Sequence, residues 1–74
     1  MQNNRHSRAA RAIAAQLATK PYIRVNVSTP AADSYIFRVM VYLCRYFGSY
    51  QLEYTNDNMA IIRKLDIAII RKLG

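Results

Sequence analysis

Between residues 22 and 54 the hydrophobic period of the chain changes twice, and each change is marked by residues that restrict the backbone. Tyr22 to Val27 alternates, with Ile23, Val25 and Val27 on one side and Arg24 and Asn26 on the other, which predicts a half-buried strand over 22–27. Ser28-Thr29-Pro30 then announces a helix, with Thr29 as N-cap and Pro30 at the first helical position. Asp33 lies where the helix dipole favours a negative charge. The helix runs over 30–47 and is closed by Gly48, a residue suited to the positive φ of a helix end. Tyr50 to Tyr54 alternates again, a second strand over 50–54 with Tyr50, Leu52 and Tyr54 on one face.

Within the helix over 30–47, Ile36, Met40, Leu43 and Phe47 form the main apolar stripe, flanked by Val39 and Cys44. Cys44 reads as an inert small hydrophobe at the core edge. Ser34, Arg38 and Arg45 mark the wet face. Tyr35, Tyr42 and Tyr46 form a row beside it, which is either a core edge with hydroxyls reaching water or a partner surface.

The flanking segments complete the pattern. Residues 7–19 contain six Ala and predict a helix within 5–20, stopped by Pro21. Ala9, Ala10, Ile13, Ala14 and Leu17 share one side, and Arg5, Arg8 and Arg11 the other. No acid occurs in the first 20 residues, so this basic face reads as a phosphate-contacting surface, with plain solvent exposure as the alternative. The segment also resembles a mitochondrial targeting sequence. After the turn cluster Thr55-Asn56-Asp57-Asn58, residues 60–73 contain the hexapeptide AIIRKL twice, at 60–65 and 68–73. The region reads as strand or helix. A strand is favoured, because a repeat period of eight preserves facing in a strand and drifts by about 80° in a helix. It would pair as a hairpin with 50–54.

The expected fold class is α+β, one small domain spanning 1–74 in the order α-β-α-β-β, with the helices packed on one face of a three-stranded sheet. At 74 residues such a core is marginal and is usually supported by a metal, disulfides or a partner. One Cys and one His supply neither a zinc-type ligand set nor an internal disulfide, which leaves a partner. The net charge of +7 points to a polyanion, nucleic acid first and an anionic membrane surface second. No catalytic constellation, phosphate loop or metal motif is visible, so no enzyme activity, catalytic residue, cofactor or small-molecule substrate is expected. No apolar run is long enough to span a bilayer.

The strand Tyr22-Ile23-Arg24-Val25-Asn26-Val27-Ser28-Thr29-Pro30, the helix to Phe47 and the step Gly48-Ser49-Tyr50-Gln51-Leu52-Glu53-Tyr54 resemble the N-terminal half of small-subunit ribosomal protein eight (S-eight), bacterial or organellar type. That family opens with an Arg-bearing helix, continues into a strand of the type Lys-x-x-Val-x-Val-Pro, and steps from its second helix through Gly-Tyr-Ile into the next strand. On this resemblance the third strand corresponds to 64–70, and the chain is a reduced organellar version. The family's C-terminal half, with its Ser-Thr-Ser-x-Gly-like rRNA-gripping loop, has no counterpart in it. The implied function is that of a structural ribosomal constituent located on a mitochondrial ribosome, or otherwise in the cytoplasm. Its partners are rRNA and neighbouring small-subunit proteins. The expected RNA-binding residues are Arg5, Arg8, Arg11, Lys20 and Arg24, and the expected partner surface is Tyr35, Tyr42, Tyr46, Arg38 and Arg45. Two other functions fit the residues: a small phage- or plasmid-type DNA-binding regulator of ribbon-helix-helix character, and a non-nucleic interaction or inhibitor subunit using the Tyr row.

Overall fold

The computed structural model describes residues 4–55 and 57–65. Its elements are α1 (Arg5–Leu17), β1 (Ile23–Asn26), α2 (Pro30–Tyr46), β2 (Tyr50–Tyr54) and β3 (Met59–Lys64). The order is α-β-α-β-β and the class is α+β, as the residue pattern predicts. The strands form one antiparallel sheet in the order β1-β3-β2, so the last strand inserts between the first two.

Strand alternation decides which residues meet the helices. Ile23 lies opposite Ile62, and Ile62 opposite Leu52, so these three share one face across the whole sheet. The same face carries Val25, Ala60 and Tyr50, and both helices pack against it. From α1 come Ala10, Ile13 and Leu17; from α2 come Ile36, Val39, Met40 and Leu43. Ile62, Val39 and Leu43 are fully enclosed. Ile62 is the centre of the sheet side of the core because, among the described strands, its own has a neighbour on both edges.

The ends of the elements are shorter than the pattern predicts. The expected helix over 5–20 stops at Leu17, and the N–H groups of Thr19 and Lys20 both turn back to the Gln16 carbonyl. Pro21 explains the stop, since it disfavours helical backbone at Lys20. The strand expected over 22–27 spans Ile23–Asn26, and the Val27 N–H donates to the Asn58 carbonyl at 2.9 Å. In α2 the Thr29 hydroxyl accepts the Ala32 N–H at 3.0 Å, as an N-cap should. The helix ends one residue early, at Tyr46, with Phe47 as C-cap.

That ending corrects the apolar stripe. Phe47 has left the helical register (φ −121°) and is half-buried at the rim; Ile36, Met40 and Leu43 are buried as the stripe predicts, and Val39, expected only to flank it, is fully enclosed with Leu43. Cys44 is exposed rather than part of the core edge. One residue beyond Leu43 is a rotation of about 100°, which takes its side chain off the stripe. Its thiol lies 3.6 Å from the Tyr50 carbonyl.

Within the region expected as strand or helix over 60–73, the first AIIRKL copy lies in a strand, Met59–Lys64. The Leu65 N–H donates to the Ser49 carbonyl at 2.9 Å, and residues 66–73, with most of the third strand that the resemblance puts at 64–70, lie outside the described residues. β3 pairs with β2 in a hairpin whose loop closes through the Thr55 N–H to the Met59 carbonyl at 2.8 Å. Asn58 takes a positive φ of 61°, a conformation Asn tolerates better than most residues. The Tyr54 hydroxyl donates to Asp33 at 2.5 Å, tying the end of the hairpin to the start of α2, and this bond raises the phenol above its ordinary pKa.

Gly48 turns the chain from α2 into β2 with φ +128°. A β-carbon there would lie 3.9 Å from the Tyr50 ring, so space is not the constraint. Gly48→Ala is expected to lower stability by about 1–3 kcal/mol through backbone strain alone. A urea melt unchanged from the parent would defeat that account.

Candidate nucleic-acid interface

The basic face of α1 is held by a device at its first turn. Asn4 is the N-cap: its side-chain oxygen accepts the Ser7 N–H at 2.9 Å, and the Ser7 hydroxyl accepts the Asn4 N–H at 3.0 Å. This reciprocal pair is a capping box. Its signal, Asn4-x-x-Ser7 ahead of an Ala-rich run, is legible in the residues but absent from the expectations above. The Asn4 amide also donates to the Tyr42 hydroxyl at 3.1 Å, so the start of α1 is fastened to the middle of α2. His6 packs its ring 5.0 Å from that of Tyr35, and the Arg5 guanidinium sits 5.4 Å from the same ring. Arg8 and Arg11 follow on the outward side, both exposed.

Asn4→Ala removes the cap and is expected to cost about 1–2 kcal/mol, within the range for losing such a residue. The first turn, with Arg5 and Arg8, should fray. Faster amide exchange at Ser7 and Arg8 would report it; unchanged protection would show that the cap does not hold the turn.

The structure does not bring all five expected RNA-binding residues to one surface. Arg5, Arg8 and Arg11 share the face of α1 turned away from the core. Lys20 is exposed in the connection to β1. Arg24 leaves the opposite side of the sheet, because alternation sends it away from Ile23 and Val25, which face the helices. Its guanidinium lies 5.7 Å from the Tyr22 ring.

The tyrosine row is also divided. Tyr35 and Tyr42 are half-buried at the seam between α1 and α2, where they meet His6 and Asn4. Tyr46 is exposed and stacks on Tyr42 with ring centroids 6.1 Å apart. Arg38 and Arg45 are exposed on the outward face of α2, with Arg45 lying 5.8 Å from the Tyr46 ring. Phe37 and Val41 are exposed on the same face, neither having been expected there. The signal was present in their spacing, one helical turn apart and off the Leu43 stripe.

The described carboxylates are engaged elsewhere. Asp33 accepts from Tyr54, Asp57 bonds the Thr55 hydroxyl, and Glu53 pairs with Arg63 at 3.2 Å across the hairpin. Among the described residues, none pairs with an arginine of α1 or α2. What remains is a row of permanently charged, planar guanidinium groups on a rigid, capped helix. Such groups match phosphate oxygens in fork geometry. Among the described residues there is no cluster of His, Cys, Asp or Glu able to hold a metal ion, and no helix is long and apolar enough to cross a membrane. Compared with models of protein families, with curated proteins and with solved structures, the chain matches none.

Proposed function

We propose that the protein is an RNA-binding structural constituent of a ribosomal small subunit, not an enzyme, and that α1 is its anchor on the phosphate backbone. The observation behind this reading is the charge arrangement. Arg5, Arg8 and Arg11 stand on one capped helix while the described carboxylates bond to Tyr54, Thr55 and Arg63. A run of like charges of this kind binds a polyanion with counterion release and little base readout. Lys20 extends the anchor, and Arg24 reaches a second strand or loop from the other side of the sheet. The α-β-α-β-β order supports the resemblance to small-subunit ribosomal protein eight, with rRNA and adjacent ribosomal proteins as partners and a mitochondrial ribosome as location. A ribbon-helix-helix regulator requires a second helix directly after Gly48, where this chain has β2.

The test is sedimentation of the tagged protein through sucrose gradients in high salt. The reading expects it to travel with small ribosomal subunits and to be released by ribonuclease. A protein found as a free dimer, or one that binds duplex DNA in preference to rRNA, would overturn it.

A further inference from the structure

We propose that the outward face of α2 is a docking surface for an acidic amphipathic helix of a partner protein. Phe37 is 65% exposed and Val41 48%, two large apolar side chains one turn apart on the same side of α2. With Ser34, Arg38 and Arg45 they line a shallow groove along α2 that is bounded by Tyr42 and Tyr46. The groove runs three turns, about 18 Å, and so takes a helix of about 12 residues. Phe37 and Val41 lie at i and i+4, the spacing at which a second helix lays its own apolar stripe. Arg38 and Arg45 run along one side of that pair, and no described carboxylate neutralises either one.

Charge and ring geometry select the occupant. A second copy of the chain would set Arg38 and Arg45 against the same arginines, with a net charge of +7 on each molecule. Single-stranded nucleic acid needs open ring faces on which bases stack. Tyr46 is already engaged by Tyr42 at 6.1 Å and Arg45 at 5.8 Å and Val41 offers no ring, which leaves the exposed Phe37 as a lone platform where a run of stacked bases needs several. A helix with a Leu-type stripe and flanking Glu residues satisfies both components, burying Phe37 and Val41 while pairing with the two arginines. This surface is separate from the basic face of α1, so its test does not depend on RNA binding.

The experiment titrates the full-length, isotope-labelled chain with a synthetic Ala-based helical peptide of about 14 residues, carrying Leu at i, i+3, i+4 and i+7 and Glu beside them. Shifts should localise to Phe37, Arg38, Val41 and Arg45. The double variant Phe37→Ser with Val41→Ser should bind at least tenfold more weakly while keeping its helical circular dichroism. A scrambled peptide of equal charge should lose the same factor. Charge reversal, Arg38→Glu with Arg45→Glu, should abolish binding of the Glu peptide and admit a Lys-for-Glu counterpart. Equal binding of the scrambled peptide would overturn the proposal, since only net charge would then be read. So would oligouridylate shifting these same residues at lower concentration than the peptide, or self-association of the parent chain that the double Ser variant removes.

Discussion

Leu43→Ala is expected to leave the isolated chain largely unfolded at 25 °C. Leu43 has no exposed surface and lies in the cluster that joins α1, α2 and the sheet. Truncating such a residue costs about 2–5 kcal/mol, the transfer of the lost methyl groups plus the cavity left behind. A chain of this size holds roughly 3–5 kcal/mol in total. The substitution therefore removes most or all of the margin. Phe47→Ala deletes a larger side chain but is expected to cost less, because Phe47 is half-buried at the C-cap and its site is open to collapse and to water. Urea melts followed by circular dichroism would rank the two variants. If Phe47→Ala proved the more damaging, the core would be centred on the end of α2 rather than on its third turn. Binding RNA should shift the melts of both variants upward by mass action.

Replacing Arg5, Arg8 and Arg11 together by Gln is expected to weaken RNA binding and to flatten its dependence on salt. Each phosphate contact contributes about 0.7–0.9 to the slope of log K against log salt, so three contacts account for roughly 2–3 units. Gln has nearly the helix propensity of Arg, and the cap at Asn4 is untouched, so the circular-dichroism spectrum should not change. Arg5 also lies against the Tyr35 ring, a contact worth about 0.5–1 kcal/mol at an exposed site. Restoring Arg5 alone should therefore recover stability but only about a third of the lost slope. A triple variant with the parent's salt slope would show that these arginines meet a protein or only water, and the ribosomal reading would lose its physical basis.

Local punctuation and period determined most of the secondary structure. Thr29 and Pro30 start α2, Gly48 ends it, and alternation places Ile23 and Val25 on the buried face; each effect acts over a few residues and is therefore written in the chain. The charge of α1 is legible for the same reason. What the residues left open was decided by tertiary packing. AIIRKL suits either helix or strand. Its first copy lies in a strand because β1 and β2 offer it two free edges and a place for Ile62 over the helices. The sheet order β1-β3-β2 follows from that insertion, and local spacing does not encode it. Tyr35 and Tyr42 look like Tyr46 on a helical wheel, yet only the first two meet α1, because the capped end of α1 crosses α2 there. Arg24 counts as one more positive charge in the sequence, and only the sheet separates it from the other arginines. Phe37 and Val41 are apolar by composition; the docking of α1 and the sheet onto the other sides of α2 leaves them exposed to solvent.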